Sequence, residues 1–244
     1  MVWSCLVSIL PGMAQTEKLT DYVNPFVGTD GYGNVYPGAQ IPFGGIQISP
    51  DTDSRFYDAA SGYKYNHLTL MGFSLTHLSG TGIPDLGDFL FIPGTGEMKL
   101  EPGTHEDPDQ GYRSRYSHDK EWASPNYYAV ELADYGVKAE MTSGVRSGMF
   151  RFTYPESDNA FIMIDMNHTL WQSCEWSNLR MINDSTITGY KLVKGWGPER
   201  HVYFTATFSK KLTGLRFVQD KKPVIYNTSR FRSLGKESDG LYLL

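Results

Sequence analysis

The second half of the chain is a series of short apolar or alternating runs, each followed by turn-forming residues. "NYYAVEL" (126–132), "GVKAEMTS" (136–143) and "AFIMIDMN" (160–167) are typical β-strand patterns, and turn signals recur roughly every ten residues. No stretch has the sustained 3.6-residue periodicity of an amphipathic helix. The sequence therefore predicts an all-β fold, an antiparallel β-sandwich. Further strands are predicted at 89–92, 147–154, 185–196, 201–209, 214–220 and 222–228.

The first half contains a glycine-rich segment, "NPFVGTDGYGNVYPGAQIPFGG" (24–45), with six glycines and three prolines. It is a poor phosphate-binding loop, because Tyr36 stands where a dinucleotide fingerprint needs its third glycine and no G-K-[ST] ending is present. Pro37 and Pro42 also exclude a helix directly after it. The composition predicts a long surface loop of successive turns. The following "DTD" fails as an EF-hand, because Arg55 occupies a ligand position.

The charge balance excludes a nucleic-acid partner. The net charge is −5 and the isoelectric point is about 5.7, whereas nucleic-acid binding requires a basic surface. Aromatic residues make up 14% of the chain, which suits both β-structure and the stacking of sugar rings. No apolar run is long enough to span a membrane.

The N-terminal run "MVWSCLVSILPGMA" (1–14) is predicted to be a signal peptide with an incomplete basic region, cleaved before Gln15. The product would be secreted or periplasmic, and a surface lipoprotein anchored at Cys5 is the alternative. Residues 15–244 are predicted to form one domain. Cys174 would then be the remaining cysteine, and we expect it to be buried and inert.

No local catalytic motif is present: the sequence lacks H-E-x-x-H, and "GFSLT" is not a nucleophile elbow. We therefore assign no catalytic residue. The histidines show no metal-ligand spacing, so no metal ligand is assigned; they are His67, His77, His105, His118, His168 and His201. Several aspartates lie close together in sequence and suit either a glycosidase carboxylate pair or ordinary turns; they are Asp51, Asp53, Asp58, Asp85 and Asp88.

Three longer blocks resemble the N-terminal part of glycoside hydrolase family 92, the calcium-dependent, inverting exo-α-mannosidases. They are "NPFVGTDGYGNVYPGAQIPFGGIQISPDT", "SGYKYN" and "GFSLTHLSGTGIPDLGDFLFIPGTG". The resemblance continues through "YSHDKEWASPNYYAVEL" and "GYKLVKGWGPERHVYFTATFSK". It implies a β-sandwich of the galactose-mutarotase-like supersandwich type, packed against a helical α/α barrel. In that family the barrel supplies the general acid, the general base and most of the calcium site.

The resemblance also implies sugar-binding residues in the opening loop and after the D-T-D turn. Phe26, Gly28 and Thr29 are expected to line the mannose pocket, together with Arg55. Backbone groups at Gly28 would bond hydroxyls, and the Arg55 guanidinium would donate a fork of hydrogen bonds. An ion pair with a nearby aspartate is an equally open role for Arg55.

Further pocket residues follow from the other two blocks, where this chain departs from the family pattern. Tyr57 and Asp58 are expected to contact substrate, although the family commonly has tryptophan at the position of Tyr57. His77 is expected to contribute as well, but Leu75 replaces a second histidine that often precedes it. Linkage preference therefore cannot be inherited from the family.

The sequence thus suggests the sandwich half of a mannosidase that releases terminal α-mannose from N-glycan-type mannosides with inversion and is inactive alone. The barrel and its catalytic carboxylates are expected to be missing, and calcium is expected mainly on that barrel. The expected partners are mannose-containing glycans and the barrel. A stand-alone carbohydrate-binding module and a purely structural β-domain are the alternatives.

Overall fold

The computed structural model describes residues 17–54, 59–212, 216–219, 222–224 and 230–234. Over these residues the chain forms β-strands and three short 3₁₀ segments, and no described helix is long and apolar enough to cross a membrane. The 3₁₀ segments are Leu19–Tyr22, Pro108–Gln110 and His118–Lys120. The predicted all-β class is confirmed.

The strands are short in the first half and longer in the second, as the turn spacing predicts. They are β1 (Ala39–Gln40), β2 (Gln47–Asp51), β3 (Thr69–Leu70), β4 (Gly72–Ser74), β5 (Leu90–Thr95), β6 (Ser114–Arg115), β7 (Glu121–Ser124), β8 (Tyr127–Leu132), β9 (Val137–Ser143), β10 (Gly148–Thr153), β11 (Ala160–Asp165), β12 (Ser173–Asn183), β13 (Thr186–Lys194), β14 (Arg200–Thr207), β15 (Phe217–Gln219), β16 (Lys222–Val224) and β17 (Arg230–Leu234).

Three sheets build the sandwich, and every described strand pair is antiparallel. The central sheet has the order β1-β2-β4-β5-β11. Two four-stranded sheets, β10-β9-β8-β7 and β14-β13-β12-β17, consist largely of hairpin-connected neighbours. The small pairs β3-β6 and β15-β16 complete the fold.

One face of the central sheet packs against both four-stranded sheets. Ile48 and Phe73 lie in a buried cluster with Tyr128 and Met141 from the β7–β10 sheet. A second cluster joins the central sheet to the β12–β14 sheet through Phe91, Ile164, Leu179 and Ile187. The ring of Phe150 lies between the two clusters, 5.2 Å from the Phe91 ring and 6.5 Å from the Phe73 ring. The apolar core is therefore continuous across all three sheets.

The opposite face of the central sheet is covered as well. Leu90, Ile92 and Met163 are buried there against Tyr112, which belongs to the long irregular segment between β5 and β6. Burial on both faces explains why the β5 sequence begins as a continuous apolar run rather than an alternating one.

Eight of the described strands were not predicted; they are β1, β2, β3, β4, β6, β7, β12 and β17. In strand β12, apolar and polar residues do not alternate regularly. The pairing register with β13 shifts between Cys174 and Trp176 and again between Met181 and Asn183, and each shift changes which residues face the core. Strand β7 has four residues and follows a charged turn, so it gives little periodic signal. The predicted signal peptide lies outside the described residues.

Cys174 lies on β12 and is half-buried, with no disulfide partner among the described residues. Burial raises the pKa of its thiol, although the nearby Lys191 opposes this shift. A raised pKa disfavours the nucleophilic thiolate, in agreement with an inert cysteine.

Candidate functional site

Three segments that are separate in sequence meet at one end of the central sheet. They are the opening segment (24–45), the S-G-Y segment (59–65) and the loop between β4 and β5 (76–88), and we call their meeting place the loop junction. The opening segment was predicted as a surface loop, but it contains β1 and is buried at residues 36–39. The Gly80 amide donates a 2.7 Å hydrogen bond to the carbonyl oxygen of Asn34, which ties the third segment to the first. All three segments belong to the motif blocks.

Phe26 and Thr29 are placed at the junction by the S-G-Y segment. The Tyr65 amide donates to the Thr29 carbonyl oxygen at 2.9 Å, and the Tyr65 ring meets the Phe26 ring edge-on, with centroids 5.8 Å apart. The Thr29 hydroxyl donates to the Phe26 carbonyl oxygen at 2.8 Å, and its side chain is buried. Thr29 therefore shapes the loop, while the half-buried Phe26 ring remains partly accessible.

Gly28 occupies a backbone conformation that favours glycine. Its φ is +85°, and a Cβ built on it would lie 3.0 Å from Cγ2 of Val35. The carbonyl oxygen of Gly28 lies so close to Gly33 that a Cβ there would approach it to 2.1 Å. The two glycines allow the loop to fold back on itself and leave Gly28 exposed.

A buried carboxylate lies beneath the junction. Oδ1 of Asp51 is 2.8 Å from Nε2 of His77, and Oδ2 is 2.8 Å from Nε2 of His168. Nδ1 of His77 is 2.7 Å from the Gln47 carbonyl oxygen, so both of its ring nitrogens are engaged. Gly62 packs directly on this group, because a Cβ there would lie 2.1 Å from Oδ1 of Asp51. We call Asp51, His77 and His168 the Asp51 cluster.

The Asp51 cluster holds a permanent buried charge. Complete burial disfavours ionisation, but His77 and His168 together outweigh it and keep the pKa of Asp51 well below its ordinary value. The His77 side chain is 0% exposed. His77 therefore lies below the junction and supports it from there, and its predicted contact with substrate stays a prediction.

A second buried carboxylate joins the β4–β5 loop to the neighbouring sheet. Asp88 Oδ1 lies 3.0 Å from Lys191 Nζ, and its Oδ2 accepts hydrogen bonds from Arg200 and, at 2.6 Å, from Thr76. Burial opposes ionisation, but Lys191 and Arg200 lower the pKa of Asp88 to about 2. Lys191 also donates to the His168 carbonyl oxygen at 2.6 Å, which connects the two charged groups.

Asp85, from the same sequence cluster, and Asp165, at the end of β11, also have structural partners. Asp85 accepts from the amides of Leu86 at 2.6 Å and Trp196 at 3.0 Å, so it fixes the β13–β14 turn beside the junction. Asp165 is buried, which raises its pKa, and its Oδ1 accepts from the backbone amides of Asn167 and His168. A general acid needs a raised pKa and access to the leaving oxygen, and Asp165 lacks that access.

The predicted pocket residues divide into two groups. Phe26, Gly28 and Thr29 lie at the loop junction, and His77 lies below it. The other three fall within residues 55–58, outside the described residues; they are Arg55, Tyr57 and Asp58. Their roles, like those of the first group, stay predictions.

His168 was not singled out by sequence, because it lies 117 positions from Asp51 and follows an unrelated strand. Among the described residues, Asp53, His67 and His105 also come together, with ligand atoms within 4.8 Å of one another. No metal ligand was predicted from the sequence, whose spacing gives no sign of this group. Two imidazoles and a carboxylate do not match the all-oxygen set that calcium prefers, so these residues do not fit the calcium that the resemblance implies.

Comparison with known proteins gives concordant results. The model of the glycosyl hydrolase family 92 N-terminal domain matches residues 22–243. The family GH92 α-mannosidase BT3965 from Bacteroides thetaiotaomicron, also solved in complex with mannoimidazole, is 96% identical over 93% of this chain, with a TM-score of 0.87. The family hydrolase ccman5 is 26% identical over 92% of the chain, with a TM-score of 0.74.

An uncharacterized secreted glycosidase from Arthroderma benhamiae is 30% identical over 139 residues, which is 56% of this chain. The chain spans 31% of the BT3965 structure, 30% of ccman5 and 17% of the fungal protein. Because the family model matches nearly the whole sequence, the chain belongs to glycosyl hydrolase family 92 and carries its N-terminal domain.

Proposed function

We propose that this chain is the sandwich domain of an exo-α-mannosidase and forms one wall of the pocket that binds a terminal α-mannose. The observation that carries the proposal is the 96% identity, over 93% of the chain, with a structure described as an α-mannosidase. We extend the proposal to N-glycan-type mannosides and to hydrolysis with inversion, as expected from the family resemblance.

The loop junction suits this role because it combines an exposed contact surface with a rigid base. Phe26 offers a ring for the apolar face of a sugar, and Gly28 offers backbone groups that no side chain covers. The charged Asp51 cluster and the Asp88 ion pairs below fix the loops in place. Fixed contact groups hold a substrate at low entropic cost, which is the usual requirement of a glycosidase pocket.

The catalytic carboxylates are proposed to lie outside the described residues. Inverting hydrolysis requires a general acid with a raised pKa and a general base roughly 6.5–9.5 Å away. Asp51 and Asp88 are buried, and their lowered pKa values keep both ionised, so neither donates a proton near neutral pH. We therefore propose that the acid, the base and any calcium site belong to a helical barrel that completes the enzyme, and that this chain alone does not hydrolyse mannosides.

The test compares this chain with a longer protein that carries it together with the barrel. Both are incubated with α-1,2-mannobiose, and proton NMR follows the anomeric signal of the released mannose at early times. We expect turnover by the longer protein with β-mannose appearing first, and none by this chain. Hydrolysis by this chain would show that its own carboxyl groups catalyse the reaction, and inactivity of the longer protein would contradict the mannosidase proposal.

Secretion is part of the same proposal. The apolar run at 1–14 and the similarity to a secreted fungal glycosidase both support export. N-terminal sequencing of the exported protein should begin at Gln15. A mature protein that retains Trp3 would contradict signal-peptide cleavage.

A second candidate function is carbohydrate binding without hydrolysis. The solvent face of the β12–β14 sheet carries Trp176, Tyr190 and Tyr203, with the Tyr190 ring 4.9 Å from Trp176 and 4.7 Å from Tyr203. Tyr203 is 70% exposed, and exposed aromatic rings stack on sugars. Calorimetric titration of α-mannobiose into the chain and its Tyr203→Ala variant tests this candidate. Binding that the variant loses would support it, and no detectable binding to the unmodified chain would exclude it.

A further inference from the structure

We propose that Asp53, His67 and His105 form a binding site for a first-row transition-metal dication, of which Zn²⁺ is the best match. The three residues come from separate segments: Asp53 follows β2, His67 precedes β3, and His105 belongs to the irregular segment between β5 and β6. The site is independent of the mannosidase proposal, because a separate set of side chains forms it.

The spacing of the ligand atoms fits one ion. Nε2 of His105 lies 3.3 Å from Oδ2 of Asp53, and the centroids of the His67 and His105 rings are 4.0 Å apart. Zinc holds nitrogen and oxygen ligands at about 2.0–2.2 Å in a tetrahedron, which places two ligands roughly 3.3–3.6 Å from each other. The His105–Asp53 pair already has this separation. Since all three ligand atoms lie within 4.8 Å, small side-chain rotations complete the set.

Neighbouring hydroxyl groups orient both imidazoles. Nδ1 of His67 is 3.0 Å from Oγ1 of Thr52, and Nδ1 of His105 is 2.8 Å from Oγ1 of Thr69. When Nδ1 is held in this way, Nε2 is the nitrogen that binds an ion. Histidines that bind metals usually have their second nitrogen fixed by such a partner.

His105 provides an independent indication of a missing ligand. Its Nε2 is buried and makes no hydrogen bond of acceptable geometry within the described part of the chain, despite its distance of 3.3 Å from Asp53. A buried polar atom without a partner is costly, and native proteins rarely leave one without a reason. A cation bound between Nε2 and the Asp53 carboxylate would give the imidazole nitrogen a partner.

The positive charge of Arg113 repels a bound cation and so lowers the affinity of the site for it. Nη1 of Arg113 lies 3.5 Å from Nδ1 of His105 and donates to Oγ1 of Thr69 at 3.3 Å. Nδ1 of His105 can accept from Arg113 or donate to Oγ1 of Thr69, and ion binding requires the second arrangement, because it leaves the lone pair on Nε2. The Asp53 carboxylate, with its side chain 4% exposed, supplies the negative charge that the ion needs.

The donor set selects the type of metal. Two imidazoles and one carboxylate suit zinc and its neighbours in the first transition row, whereas calcium and magnesium prefer oxygen ligands alone. Three protein ligands leave a fourth position for water. Bound in this way, the ion would clamp the irregular segment between β5 and β6 to the end of β2.

The test is calorimetric titration of Zn²⁺ into the 244-residue chain after chelator treatment. We expect one Zn²⁺ per chain, no comparable binding of Ca²⁺, and a higher melting temperature with Zn²⁺. His105→Gln should abolish this binding, and Thr69→Val should weaken it by about tenfold because it loosens the imidazole. His201→Gln is the matched control, because His201 is exposed on β14 and bonds Tyr190 instead.

Equal Zn²⁺ affinity in the chain and in His105→Gln would overturn the proposal. If a variant fails to fold by circular dichroism, anomalous diffraction at the zinc edge from crystals of the unmodified chain decides. A peak between the three side chains supports the site. A peak elsewhere, or none, refutes it.

Discussion

The buried Asp88 carboxylate offers the sharpest test of what holds the β4–β5 loop in place. Both Asp88 and Lys191 have side chains that are 0% exposed, and Oδ1 of Asp88 lies 3.0 Å from Nζ of Lys191. In Asp88→Asn the side chain keeps its shape, but the charge that balances Lys191 and Arg200 is lost. The substitution therefore isolates the electrostatic part of this contact.

The expected loss of stability follows from two estimates. Lowering the pKa of Asp88 from 3.8 to about 2 corresponds to roughly 2 kcal/mol of stability from ionisation. Removing one partner of a buried ion pair costs about 3–5 kcal/mol, because the other charge stays buried without compensation. Lys191 keeps its hydrogen bond to the His168 carbonyl oxygen, so we expect a cost near the lower end of that range. We expect Asp88→Asn to reduce the free energy of unfolding by about 3 kcal/mol.

Urea unfolding of the chain, followed by tryptophan fluorescence, measures this difference. The control is Asp184→Asn, which removes the exposed ion pair with Lys211 and should cost less than about 1 kcal/mol. Because the folded-state pKa of Asp88 is lowered, its contribution is fully present above pH 3.8 and is lost as the pH falls through about 2. If Asp88→Asn unfolds at the same urea concentration as the unmodified chain, the ion pair does not stabilise the loop and the reasoning is wrong.

Three further predictions concern the loops and the sheet. Gly28→Ala and Gly31→Ala both place an alanine at positive φ, so each should lower the free energy of unfolding by roughly 1–2 kcal/mol. In a complete enzyme, Gly28→Ala alone should also lower kcat/KM for mannosides. Equal losses of activity in these two variants would remove Gly28 from the pocket. Gly189→Ala should lower the free energy of unfolding by about 1–3 kcal/mol, because the added Cβ would lie 2.1 Å from the Phe204 ring. An unchanged midpoint of urea unfolding would contradict that packing. Asp51→Asn should make acid unfolding less steep, because the lowered pKa of Asp51 gives stability that is lost only as the pH falls below the ordinary carboxyl range. Identical acid-unfolding curves would argue against a charged cluster.

Much of the fold could be predicted because most strands of the second half lie at the edge between core and solvent. Strand β13 shows regular alternation between buried and half-buried positions, so its sequence has the period of a strand. In β12 the bulges shift that alternation, and the apolar signal disappears although the strand has eleven residues. A two-residue period in the sequence identifies a strand with a regular pleat, and the period disappears where a bulge interrupts that pleat.

The site was less predictable than the fold. The motif blocks identified Phe26 and Gly28, and the structure places both at the loop junction. They could not identify His168 or the approach of His67 to His105, because these contacts depend on how distant strands are arranged. Charged and metal-ligating side chains follow no periodic sequence pattern, so their partners can be identified only from the three-dimensional arrangement of the sheets.

The positions of the motif residues suggest that inner and outer residues of the loop junction have different roles. Residues that face inward, such as Asp51 and His77, form a network in which every buried charge has a partner, so that removing one leaves another uncompensated. Such residues cannot also follow the shape of a ligand, because their hydrogen bonds are already committed. Under the proposed function, contact with a sugar falls to exposed groups on the same loops, Phe26 and the backbone at Gly28 among those described. On this argument, substitutions in the inner set should change stability first and activity as a consequence, whereas substitutions in the outer set should change the KM for mannosides with little effect on folding.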